Sequence, residues 1–206
     1  MTTLAHLPRY SARCLLADPP WHHQNWSDKG DTRISAKRHY CVMRLGDIAE
    51  LPVRELCDID CWLFLWAIGS MLLQAIYVME QWGFRYSSIA FTWVKLNPSG
   101  RGFFMGGGKT TRKNVELCLL GRRGTPAIND HGVRELIVAP VREHSRKPDE
   151  QYERIERFCD GPYVELFARQ RRSGWRAWGD QLPRARRNRA MTETATPAKP
   201  GKPRRP

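Results

Sequence analysis

Apolar residues arrive along this chain in short blocks separated by polar, Pro- or Gly-containing stretches, and the blocks are of two kinds. Cys14-Leu15-Leu16-Ala17, Cys61-Trp62-Leu63-Phe64-Leu65-Trp66, Ser88 to Lys95, Val115 to Leu120, Leu136-Ile137-Val138-Ala139 and Tyr163 to Ala168 have the length and composition of strands. The first two are apolar throughout, as strands covered on both faces are. Between 70 and 83 the spacing changes: Leu72, Ala75, Ile76 and Met79 recur at helical intervals, with Ser70 as N-cap and Gly83 as the stop. A second helix opens at Pro148, which suits a first helical position. Asp149 and Glu150 complement its dipole, and Tyr152, Ile155 and Phe158 form its buried stripe. Gly174 to Leu182 closes the folded part.

Strands alternating with helices, and strands buried on both faces, predict an α/β sheet with helices on either side. A chain of 206 residues supports one such domain, placed here at 1–182. Residues 21–43 show no period and read as a long binding loop. From Pro183 onward Pro, Arg, Lys, Thr and Ala dominate without apolar periodicity, so 183–206 reads as a disordered tail.

Charge sharpens this picture. The net charge is +13, and the tail holds eight basic side chains against the single Glu193. A protein this basic attracts polyanions, although a charged tail is as often only a solvated appendage. Six cysteines, none spaced Cys-x-x-Cys and several inside apolar runs, read as small hydrophobes in a reducing compartment. Neither a signal peptide nor a membrane-length apolar segment is visible, which implies a soluble, cytoplasmic protein.

Asp18-Pro19-Pro20-Trp21 follows the first strand, and in an open α/β sheet ligands bind outside the carboxyl ends of strands. By itself the tetrapeptide reads as a turn, yet its parts suit one task. An adenine amine is a weak nucleophile because its lone pair is delocalised into the ring. Asp18 and the Pro19 carbonyl could accept its two N–H bonds and favour a tetrahedral nitrogen. Pro19 and Pro20 preset the backbone and remove competing donors, and Trp21 offers a face for stacking a base.

The chain resembles the adenine N(6)-methyltransferase family that carries an Asp-Pro-Pro-Trp motif (MT-A-seventy-like), in its bacterial or phage form. The resemblance runs from Cys14 to Leu182 through Leu16–Trp21, Phe64-Leu65-Trp66, Trp93-Val94-Lys95, Glu116–Gly121, His144–Glu150, Glu165–Arg169, Gly174-Trp175 and Trp178–Leu182. It implies a Rossmann-like sheet in permuted motif order, with the catalytic strand early and the cofactor strand late. It also implies S-adenosylmethionine as cofactor and nucleic acid as substrate. Carried over residue by residue, Asp18, Arg169, Arg171, Asp180 and Gln181 contact the cofactor, with Arg172 in the same loop. Asp180 stands where relatives have Asn, so it lacks the amide donor. Lys147 admits a structural role as readily as a binding one. The loop after Trp21 and the Gly-rich segment 99–113 are expected to close over the target base. Tyr40, beside His39, is a second stacking candidate or else a core tyrosine. Lys95 is expected to meet phosphate or a bound carboxylate.

Two lures are set aside. Gly106-Gly107-Gly108-Lys109-Thr110 suggests a phosphate loop, but the pattern needs Gly at 103, which is Phe, and a strand rather than a helix follows. His22-His23 lacks carboxylate or Cys partners at ligand spacing, so no metal is expected. The reading is therefore an adenine N(6)-methyltransferase with DNA favoured as substrate. RNA is the alternative, and a non-catalytic nucleic-acid-binding subunit is a second one.

Overall fold

In the computed structural model, which describes residues 4–21, 43–108, 110–143 and 146–183, the apolar blocks pair into a single sheet. Its strands are β1 (Ala12–Ala17), β2 (Cys57–Ala67), β3 (Arg85–Leu96), β4 (Val115–Arg123), β5 (Leu136–Pro140), β6 (Tyr163–Leu166) and β7 (Trp175–Trp178). They lie in the order β5-β3-β4-β2-β1-β6-β7. Neighbours run parallel except around β4, which is antiparallel to both β2 and β3. Among the described residues three α-helices accompany them: α1 (Leu45–Ala49), α2 (Leu72–Gln81) and α3 (Glu150–Phe158).

Period-two alternation divides each central strand between two cores. Leu63, Leu65 and Ala67 of β2 join Leu15 and Ala17 of β1, and Val164 and Leu166 of β6, in a cluster with Ala75, Val78 and Met79 of α2. Trp62, Phe64 and Trp66 face the other way, joining Cys14, Leu16, Phe91, Trp93, Tyr152 and Ile155 under α3. The helices thus cover opposite faces, as the doubly apolar strands require. Indole N–H groups tie further segments to this frame: Trp62 donates to the Ala127 carbonyl in a loop at 2.9 Å, Trp82 to Ile48 of α1 at 2.9 Å and Trp93 to Ala139 of β5 at 2.9 Å.

Helix starts depart from the sequence reading. Ser70 lies inside a 3-10 turn, Gly69–Met71, so the N-cap of α2 is Met71, one residue later. Pro148 lies before α3 rather than at its first position. Asp149 is the N-cap residue but makes no capping bond, because Arg142 (2.7 Å) and Arg146 (3.0 Å) hold its carboxylate. Gly83 ends α2 with φ at +84°, a conformation that favours glycine. Tyr40, His39, His22-His23, Cys41, Lys109, His144-Ser145 and the tail beyond Pro183 lie outside the described residues. The five described cysteines are free and buried, and no helix among the described residues is long and apolar enough to cross a membrane.

The carboxyl ends of the parallel strands gather at one end of the sheet, and a close backbone crossing holds two of them. The Ala168 N–H donates to the Trp178 carbonyl at 2.8 Å, and a Cβ on Gly179 would lie 2.2 Å from the Ala168 oxygen. That neighbour is backbone and cannot rotate away. Gly179→Ala should therefore destabilise the chain by about 1–3 kcal/mol. Urea denaturation would measure this, and an unchanged midpoint would mean the crossing yields at no cost.

Candidate active site

At this end β1 terminates in Asp18 and Pro19-Pro20, and Trp21 then bridges to Met43. The Asp18 carboxylate accepts from Lys147 Nζ through both oxygens, at 2.8 Å each, and meets Arg169 Nη2 at 3.4 Å. Lys147 also reaches Glu116 at 3.2 Å, and Glu116 pairs in turn with Lys95. The result is a row of alternating charge, Arg169, Asp18, Lys147, Glu116, Lys95. It is drawn from β1, β3, β4 and the segments before α3 and after β6.

Burial makes this row consequential. The Lys147 side chain is only 8% exposed and that of Glu116 9%. Burial alone would drive the Glu116 carboxyl up, but Lys147 and Lys95 together carry it below its ordinary value. Burial likewise works against the Lys147 ammonium, and Asp18 and Glu116 outweigh it, so its pKa rises. The ammonium also stands 5.4 Å from the centre of the Trp66 ring.

Beside Asp18 a cavity of about 260 Å³ opens on the α3 side of the sheet. Asp18, Trp66, Arg146, Lys147, Glu165 and Arg169 line it, and Gln170 and Gln181 reach it from the final loops. Trp66 is fixed at its wall by an indole N–H bond to Gln151 at 2.7 Å. Two buried polar atoms of this lining lack hydrogen-bond partners among the described residues: the Nε donor of Arg146 and the Oε2 acceptor of Glu165. One unmet donor and one unmet acceptor, within a lining of both signs, fit a ligand carrying carboxylate and cationic groups together.

The sequence-selected residues are only partly assembled here. Asp18, Arg169 and Gln181 line the cavity, whereas Arg171 and Asp180 are exposed and do not. Arg172 is not part of the lining, and its guanidinium lies 4.7 Å from the Tyr152 ring centre with Nε 3.3 Å from Glu156. Trp21 is in the core rather than on the surface, and its indole donates to the Trp66 carbonyl at 2.9 Å. The Pro19 carbonyl already accepts from the Trp21 N–H at 2.8 Å, so only its second lone pair is left for another donor. Lys95 does reach this end of the sheet, but its ammonium is committed to Glu116 and lies 5.0 Å from the Trp93 ring centre. The Gly-rich segment starts by folding back on β3, where the Phe104 N–H donates to the Lys95 carbonyl at 2.8 Å.

The family model for MT-A70 matches residues 12–181, which hold all seven strands of the sheet and every residue of the charged row. The chain belongs to the MT-A70 family. It is 31% identical to the Type II methyltransferase M.MunI of a Mycoplasma species over 197 residues, 86% of this chain and 80% of that protein. It is 33% identical to the human N(6)-adenosine-methyltransferase catalytic subunit METTL3 over 174 residues, and 34% identical to the Arabidopsis thaliana N(6)-adenosine-methyltransferase MT-A70-like over 172 residues. Each of those two matches covers 82% of this chain but only 28% and 23% of the respective relative.

Sequence reasoning did not single out Glu116, Arg146 or Glu165, and it left Lys147 undecided. A signal existed for two of them. Glu116 and Glu165 are charged residues within apolar strand blocks of this MT-A70 sheet, where an acid must have a partner. Lys147→Met should destabilise the chain by about 3–5 kcal/mol, since it strands buried carboxylates. The sign with pH follows from Glu116. Its lowered pKa stabilises the native chain above the ordinary carboxylate range, and this is lost below about pH 4. Without Lys147 burial dominates and Glu116 protonates earlier, so the deficit should shrink on acidification. Urea denaturation at pH 7 and pH 4 would read this, and a constant deficit would remove Glu116 from the account.

Proposed function

We propose that this chain transfers the methyl group of S-adenosylmethionine to the N(6) amine of adenine in DNA, in the cytoplasm, with Asp18 facing the amine. Its class of activity comes with its family: it is an adenine N(6)-methyltransferase. The observation that carries the site reading is the Asp18 carboxylate, held in the lining of a mixed-charge cavity by Lys147 at 2.8 Å and Arg169 at 3.4 Å. DNA as substrate is supported by the match over most of a Type II methyltransferase's length, against about a quarter of the N(6)-adenosine-methyltransferases.

The bound cofactor would supply a methyl group on a cationic sulfur. Arg146, Arg169 and Gln181 would hold it, the guanidinium groups suiting its carboxylate. Asp18 accepts an N–H of the target amine through lone pairs left over from Lys147 and Arg169, since a carboxylate offers about four such sites. The Pro19 carbonyl supplies a second acceptor through its remaining lone pair. Because these acceptors are set by the row of ion pairs before substrate arrives, they cost no reorganisation at the moment of transfer. A base in duplex DNA must be turned out of its stack to reach them. Tyr40 and the segment 99–113 complete the base's surroundings in this reading, while Trp21 holds the turn from the core.

Asp18→Ala should lower single-turnover methylation by a factor on the order of 10²–10³ at saturating cofactor. A variant within tenfold of wild type would mean that the carboxylate only shapes the turn. The same assay with labelled cofactor and separate DNA and RNA pools decides the substrate, because label confined to RNA overturns the DNA assignment. Arg169→Ala should weaken cofactor binding by roughly 1–3 kcal/mol, as calorimetry would show. Unchanged affinity would take Arg169 out of the cofactor site.

A further inference from the structure

Glu165 has no place in the chemistry above, yet its surroundings are unusual. It lies on β6 in register with Leu16 of β1, between Val164 and Leu166, which turn to the α2 face and are buried. Its own side chain turns to the α3 face and lines the cavity. Oε1 accepts the Tyr152 hydroxyl at 3.1 Å, whereas Oε2 is buried with no hydrogen-bond partner among the described residues. A carboxyl in such a place costs free energy that an apolar residue would not, so packing does not account for it.

Charged groups surround it from several elements, and Glu143, Arg146, Lys147 and Asp149, from the stretch before α3, share its cavity wall. Asp18 looks on from β1, Tyr152 from α3, and Arg169 and Arg172 from the loop after β6, while β7 presents the uncharged Ala177 in register. Burial is the largest influence and pushes the carboxyl up to about 7, with Asp18 adding to it. Tyr152, Arg169 and Arg172 oppose the rise. Burial and Asp18 on one side and Tyr152, Arg169 and Arg172 on the other thus pull this carboxyl in opposite directions, so the charge of whatever enters the cavity decides its protonation state.

We infer that Glu165 senses ligand charge: it gives up its proton to solvent when the cationic cofactor binds and holds one opposite the neutral thioether product. This rests on the cofactor assigned above. The two ligands share an amino-acid group and differ by the charged sulfur, so the difference between them isolates that charge. A site whose bound form has the lower pKa binds more tightly as pH rises. Cofactor affinity should therefore climb on the order of tenfold between pH 5.5 and 7.5, and product affinity much less.

Calorimetry on the full chain at pH 6.5, in two buffers of different ionisation enthalpy, reads the proton directly. S-adenosylmethionine should release roughly half a proton or more beyond what S-adenosylhomocysteine releases. Glu165→Gln should abolish the difference. Tyr152→Phe removes a hydrogen bond that favours the charged form, and should move the midpoint of the pH dependence upward. Equal proton release for the two ligands in the wild-type chain overturns the inference, as does a difference that persists in Glu165→Gln. A chain that binds neither ligand overturns the cofactor assignment itself, which is a separate failure.

Discussion

The ammonium of Lys147 is the point on which this end of the molecule depends. It is buried, and a buried charge is tolerated only when its desolvation is offset by good geometry and opposite charge. Asp18 grips it through both oxygens at 2.8 Å and Glu116 adds a contact at 3.2 Å. Those partners come from the end of β1 and the start of β4, and Lys147 itself from the stretch leading into α3. Meeting the needs of one cation thus brings together three segments that lie far apart in the chain. Removing any member would leave the others buried without compensation, so the row behaves as a unit.

The reversed direction of β4 follows the same logic. A parallel β4 would bring its carboxyl end to the site. Running antiparallel to β2 and β3, it brings its amino end there instead, and with it Glu116. Lys95, near the end of β3, then lies within reach of Glu116 from the neighbouring strand. The exception in an otherwise parallel sheet is therefore what supplies the second carboxylate of the row.

Around this electrostatic centre the tryptophans set distances. Trp66 is the hub: its carbonyl accepts the Trp21 indole, its own indole donates to Gln151 of α3, and its ring lies beneath Lys147. Both faces of the sheet are tied through that one residue. Trp21 belongs to the core under α2 and Trp66 to the core under α3. The Asp-Pro-Pro-Trp turn is thereby anchored at its far end as well as at Asp18, which restricts where the Pro19 carbonyl points.

The sequence by itself determined most of the elements, though not the short helix Leu45–Ala49, and the one residue that ends the first strand. Apolar runs covered on both faces, helical spacing in α2 and α3, and prolines that cannot continue a strand are all local, one-dimensional constraints, so six of the seven strands and Asp18 are legible from them. The last strand, Trp175–Trp178, is read only as a closing segment, because it is four residues long and has an exposed arginine in its midst. Helix starts are misplaced by one or two residues, since Asp149 is taken by arginines and Ser70 by a 3-10 turn, and neither competitor is visible along the chain. Only the tertiary structure decided the charged row. Asp18, Lys95, Glu116, Lys147 and Arg169 are scattered over some 150 positions, and which cation meets which carboxylate is set by strand order and direction. It also decided that Trp21 turns inward, and that Glu165 keeps a carboxylate oxygen with no partner beside the cavity. Burial and pairing are properties of neighbours in space, and a charged residue's neighbours in sequence do not supply them.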